Sequence, residues 1–213
     1  MSTTLSIPDW DGAEQLVDAG LDAIIVAVDG ATQDTYGRYR RGGRLDDVLA
    51  NVHATLEARQ RLGRSTPHVT ARMLVHRHNE HELDTVRAMA RDLGADAFSV
   101  GLVALDTDDP DQAAEWLPSN PVMNAYAEGL SNAGACDDLW EGMVINWDGG
   151  VVPCCWMYDP RDDLGNLAEQ SVEAVWNSEG FQAARNVVAG RPADDVALVC
   201  RECGGRPWYL TAR

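Results

Sequence analysis

Lysine is absent from this 213-residue sequence: all 17 basic side chains are arginines, against 34 acidic residues and a net charge of −17. A surface of that sign repels phosphates and argues against a nucleic-acid partner unless the arginines cluster. No apolar run approaches the roughly 18 residues of a membrane-spanning helix, and no charged-then-apolar leader is visible, so neither a membrane span nor a secretory signal is predicted. A cytoplasmic address is the expectation, where reducing conditions keep thiols available for metal. Gly42-Gly43 is followed by no Lys-Ser or Lys-Thr, so the pair serves a turn and not a phosphate loop. His76, His78 and His81 are read as a polar loop and not a metal site, and His53 and His68 as surface residues.

What is present suffices for a core. Hydrophobic residues make up 45% of the chain, enough for one large domain or two small ones. The first ten residues show little pattern. Apolar positions over Gly12–Ala19 suit a short helix stopped by Gly20, and Ala23–Val28 is a continuous apolar run, as in a parallel strand buried on both faces. A loop is predicted from there to Gly43. Leu45, Val48, Leu49, Val52, Leu56 and Leu62 then fall at helical spacing, with Gly63 as the stop. The unit recurs: a strand over Val69–Val75, Asn79 as a cap with Glu82 three residues on, a helix face at Leu83, Val86, Met89, Ala90 and Leu93, and a strand over Ala97–Val103. This rhythm predicts an α/β fold with a parallel sheet. Three strands do not close a barrel, and the apolar edge at Ala23–Val28 is expected to need a protein partner or a further part of the fold to cover it, failing which the chain should associate or be poorly soluble.

The rest of the chain is organised around cysteine. Cys136, Cys154, Cys200 and Cys203 are spread across one segment, with Cys155 beside the second. Met143–Asn146 and Val151-Val152 read as strands joined by the Asp148-Gly149 turn of a hairpin, which presents Cys154 at its end. Ser171 and Ser178 are placed to cap two short helices. Four thiolates with one C-x-x-C pair suit zinc or an iron-sulfur cluster, and spacing alone does not choose between them. Strand alternation turns Cys155 to the opposite face from Cys154, which makes it the bystander. Trp140, Trp147, Trp156 and Trp176 are read as core of this small domain. The acidic run Asp106–Asp111 is a solvated loop.

The words around these cysteines carry a resemblance. Cys136-x-x-Leu139-Trp140, Val144-Ile145-Asn146-Trp147-Asp148-Gly149, Val151-Val152-Pro153-Cys154-Cys155, Leu164-Gly165-Asn166, Val175-Trp176-Asn177, Arg185 and Cys200-x-x-Cys203 resemble the auxiliary-cluster domain of radical SAM enzymes, of SPASM or the shorter Twitch type. The segments Gly20–Thr32, Tyr36 to Gly43, His78–Glu82 and Leu93–Asp96 are similar to the second half of that superfamily's partial barrel. The resemblance covers residues 12 to 205, but the C-x-x-x-C-x-x-C motif that holds the SAM-cleaving cluster has no counterpart here.

The resemblance implies a partial (βα) barrel half over residues 1–104, an acidic linker over 105–124 and a cysteine-rich SPASM/Twitch-like domain over 125–213. It implies one auxiliary 4Fe-4S cluster held by Cys136, Cys154, Cys200 and Cys203, and Arg40 as a contact to the carboxylate of S-adenosyl-L-methionine. The chain then reads as an N-terminally truncated radical SAM protein whose cluster supports electron transfer or substrate positioning, with SAM bound only if the missing half is supplied. The alternative is a non-catalytic iron-sulfur or zinc module. Whether the chain alone is an enzyme stays open at this stage.

Overall fold

The computed structural model describes residues 1–105, 109–127, 136–154, 157, 159–193, 200 and 209–210. The chain divides into two compact units, Met1–Ala127 together with the C-terminal end, and Glu128–Pro207.

The first unit is an α/β sheet. In chain order it holds β1 (Ser2–Thr3), α1 (Ala13–Asp18), β2 (Ala23–Ala27), α2 (Gln33–Tyr39), α3 (Leu45–Arg61), β3 (His68–Val75), α4 (Leu83–Leu93), β4 (Ala97–Leu102) and α5 (Pro110–Trp116). β1 to β4 lie side by side in that order and run parallel. Ile24 and Val26 sit opposite Val69 and Ala71, and Met73 opposite Val100. These residues share one core with Leu45, Val48 and Val52 of α3 and Val86 and Ala90 of α4. The opposite face is only half-buried at Ile25, Arg72 and Leu74, so β2 and β3 alternate where a strand covered on both faces was expected. Asp96 fastens α3 to this sheet, accepting from Arg59 Nη1 at 2.5 Å and from the Val69 N–H at 2.7 Å.

Three details differ from the sequence reading. The loop expected up to Gly43 contains α2, a short helix whose sparse apolar pattern hides it; Thr32 caps it by accepting the Thr35 N–H, and Tyr36 is its buried anchor. The sheet edge at β2 is paired over Ile25 and Val26 by β1, too short to leave a periodic signal. The Met1 ammonium donates to the Ala23 carbonyl, and the Ile25 N–H donates to Met1. Finally β4 carries an antiparallel neighbour, β7 (Tyr209–Leu210), from the far end of the chain.

The second unit contains α6 (Asp138–Glu141), the hairpin strands β5 (Val144–Ile145) and β6 (Val151–Val152), α7 (Val172–Trp176) and α8 (Glu179–Val188). Ser171 and Ser178 cap the last two, accepting from the Ala174 and Phe181 N–H groups at 3.2 and 3.3 Å.

Gly30, just past β2, provides a check on the packing. A Cβ there would lie 2.5 Å from the backbone nitrogen of buried Tyr36, an atom fixed by α2. Gly30→Ala is expected to cost about 1–3 kcal/mol, read as a lower denaturant midpoint; an unchanged midpoint would show that α2 is free to shift.

Candidate functional site

Two groups of chemistry-bearing side chains stand out, one in each unit. In the first unit they gather at the C-terminal ends of the parallel strands, where ligand sites of open α/β sheets form. Asp29 follows β2 and is fully buried. Its carboxylate accepts Arg40 Nε at 2.5 Å and the Leu74 N–H at 2.7 Å. Asn79 donates to the carbonyls of Asp29 at 3.0 Å and Leu74 at 2.8 Å, and its side-chain oxygen accepts the His76 N–H at 2.8 Å. Asn79 therefore ties two strand ends together and does not cap a helix as expected. Glu82, predicted as its capping partner, accepts the Ala31 N–H and the Thr35 hydroxyl.

His76 is also fully buried, against its expected place in a polar loop. Its ring lies 5.2 Å from Trp116, 5.4 Å from Tyr39 and 5.9 Å from His78. Burial, then the neighbouring His78 and Arg38, lower its pKa to about 4, so it is neutral at neutral pH. Its Nδ1 accepts the His78 N–H at 3.2 Å, which leaves the proton on Nε2, a buried atom with no hydrogen-bond partner. The sequence signal for both Asp29 and His76 was their place directly after a strand.

Arg40 thus serves first as the counter-charge of Asp29. Its guanidinium also lies 5.0 Å from the centre of the Tyr39 ring, and its side chain is 30% exposed. Burial pushes the Asp29 carboxyl up from the ordinary aspartate value, and Arg40 and the Leu74 N–H pull it part of the way back.

In the second unit Cys136 and Cys154 are close in sequence to residues of one small core, and Cys200 packs on it. Cys136 stands three residues before buried Leu139, Cys154 follows Val151, Val152 and Pro153, and Cys200 packs against the cluster of Leu139, Val151, Val175 and Phe181. All three are half-buried. The hairpin turns as predicted, with Gly149 at φ +86°. Leu164 and Gly165 bond to Val151 on the outer side of β6, so the Leu164-Gly165-Asn166 word continues this small sheet. Cys203 and Cys155 lie outside the described residues, and among the described residues no three His, Cys, Asp or Glu side chains form a metal-holding group. The donor chemistry nonetheless suits a soft metal centre: Cys200 packs on the small core, and Cys136 and Cys154 lie three residues or fewer in sequence from its Leu139 and Val151.

The tryptophans divide differently from expectation. Trp176 packs on Phe181, whereas Trp147 at the hairpin tip is 95% exposed and Trp140 is 47% exposed. Neither belongs to the core of this unit, which is built on Leu139, Val151, Val175, Phe181, Ala183 and Ala184. Trp156 lies outside the described residues.

Residues 136–204 match the SPASM family of iron-sulfur cluster-binding domains. The chain is similar in fold to native anSMEcpe with bound AdoMet, at a TM-score of 0.56 and 10% identity, over 95% of this chain and 71% of that one. The same protein with bound AdoMet and Kp18Cys peptide gives a TM-score of 0.53 at the same identity and coverage. At that identity the likeness is one of fold. Comparison with curated protein sequences gives no match. No helix among the described residues is long and apolar enough to cross a membrane.

Two pH-dependent outcomes follow from the first unit. Arg40→Ala leaves Asp29 buried without its counter-charge, at a cost of about 3 kcal/mol near neutrality. A raised carboxyl pKa penalises the fold only above the unfolded aspartate value, so this deficit should shrink as pH falls towards about 4 and be largely gone below it; a deficit constant from pH 3 to 7 would refute the assignment. For His76 the sign is opposite to that of a paired histidine. Its lowered folded pKa means that stability is complete above the unfolded value of about 6.5 and is lost as pH falls towards about 4. His76→Asn should flatten that part of the stability curve, as followed by chemical denaturation at each pH.

Proposed function

Given a chain with the fold of the radical SAM SPASM-type enzymes, whose residues 136–204 match their cluster-binding domain, we propose that it is the auxiliary-cluster part of a radical SAM system. In this reading Cys136, Cys154, Cys200 and Cys203 hold one 4Fe-4S cluster. Bound there, such a cluster supplies a one-electron relay or a fixed wall for the substrate. The observation that carries the reading is that all four cysteines fall inside the span matching an iron-sulfur cluster-binding domain.

The chain's own residues divide the remaining work. Four thiolates occupy the four irons of a cubane, which leaves no open position for SAM to chelate, and the sequence contains no C-x-x-x-C-x-x-C. SAM cleavage is therefore assigned to residues outside this sequence or to a partner chain, which would extend the sheet beyond β1. Arg40 is the residue on this side that reaches the SAM carboxylate. Its Nε is committed to Asp29 and its terminal nitrogens have no hydrogen-bond partner among the described residues, a donor pair suited to a second carboxylate.

Anaerobic reconstitution tests this directly. The full chain should take up about four iron and four sulfide, turn brown, and release no 5′-deoxyadenosine when reduced in the presence of SAM. Cys200→Ala should lose most of the cluster and Cys155→Ala should keep it. A colourless protein holding one zinc would replace the cluster with a structural metal. Release of 5′-deoxyadenosine by the chain alone would overturn the division of labour.

A further inference from the structure

The second unit holds a half-buried cation that no carboxylate among the described residues answers. Arg185 on α8 donates from Nε to the Leu139 carbonyl at 2.9 Å and from Nη1 to the Trp176 carbonyl at 2.9 Å. Its guanidinium lies 4.3 Å from the centre of the Trp176 ring and 5.4 Å from that of Phe181. The remaining nitrogen, Nη2, is buried and has no hydrogen-bond partner among the described residues. Among the described residues Arg185 forms no ion pair, although Asp and Glu outnumber Arg two to one in the chain and Arg40, Arg59 and Arg87 are each paired with an aspartate.

Such an arrangement is costly by itself. A guanidinium cannot shed its proton to escape burial, and a buried charge persists where something of opposite sign repays its desolvation. Burial lowers the Arg185 pKa, yet a guanidinium stays protonated in a protein. The two carbonyls and two aromatic faces supply partial negative charge and leave Nη2 unserved.

The missing countercharge has a place in the same core. Leu139, whose carbonyl holds Arg185, is three residues after Cys136, and the core it belongs to also packs Cys200. A cubane carried by four thiolates is anionic in its oxidised form and more so when reduced. We infer that Arg185 is the electrostatic partner of the thiolate-bound cluster, a positioning residue that raises its reduction potential by favouring the more negative, reduced state. This rests on the cluster reading above.

Three residues of backbone span at most about 11 Å. A unit charge roughly 10 Å from a cluster, at the effective dielectric of protein sites, would be worth on the order of tenfold in the equilibrium between oxidised and reduced forms. For one electron, tenfold corresponds to about 59 mV.

The test compares wild type, Arg185→Lys and Arg185→Gln as full chains reconstituted anaerobically, with iron and sulfide counted and the midpoint potential measured by a redox titration followed by electron paramagnetic resonance. Arg185→Gln should shift the potential to more negative values by about the tenfold equivalent, and Arg185→Lys, which keeps the charge, should stay near wild type. Loss of cluster in Arg185→Gln with retention in Arg185→Lys would equally assign the charge to the cluster. An unchanged potential in loaded Arg185→Gln, equal shifts in both variants, or loss of cluster in both would overturn the inference and leave Arg185 a packing residue. A wild-type chain that takes up no iron-sulfur cluster would instead overturn the cluster reading itself, and the inference with it.

Discussion

The first unit depends on one buried carboxylate. Asp29 takes a backbone N–H from β3 and a guanidinium nitrogen from the residue just past α2, while its own carbonyl is held by Asn79 beyond β3. Placing a carboxylate out of water costs several kcal/mol in the absence of partners, so the three neighbours are not independent choices. The β2 end, the β3 end and the α2 end must arrive together, because displacing any one leaves a polar atom unpaired in the interior. What the knot secures is location: Asp29 holds the strand and helix ends beside Tyr39, Arg40 and His76, and Trp116 joins them through its carbonyl, which accepts the Arg77 N–H.

The second unit faces a different constraint, that of size. Its strands are two residues long and its helices four to ten, lengths with little stability of their own. Close backbone approach is how the small core is filled: a Cβ on Gly165 would meet the Val175 methyls at 2.9 Å, and one on Gly150 would strike the Asp163 carboxylate. A unit this small gains stability from a metal staple out of proportion to the area it buries. Cys200 packed on a core of six residues is consistent with that economy.

Elements with strong local periodicity were legible in the sequence. α3, α4 and the three longer strands carry their signal within one window, and the Ser171 and Ser178 caps are local chemistry read from single residues. β1, α2 and β7 were not legible, for one shared reason: each is short and is held by partners far away in sequence, β1 by Ile25 and Val26, α2 by Tyr36 in the main core, β7 by Val100 and Gly101. The same holds for the site. The cysteine positions and the hairpin between them are visible as words in the sequence, whereas the burial of His76 is created by Trp116, forty residues away. Trp147 shows the converse error, since a large aromatic residue suggests a core and only the hairpin geometry places it at an exposed tip.

The pairing of β7 with β4 has a topological consequence. The chain leaves the first unit after Ala127 and returns to the same sheet at Tyr209, so Glu128–Pro207 is an excursion whose two ends are both anchored. An excursion of that kind gains less conformational freedom on unfolding than a tail of equal length, because its ends stay close while the sheet persists. Losing order in the cysteine-bearing segment would then resemble opening a closed ring more than fraying a terminus. The segment can lose order and regain it while its C-terminal end remains held in register by β7 beside β4.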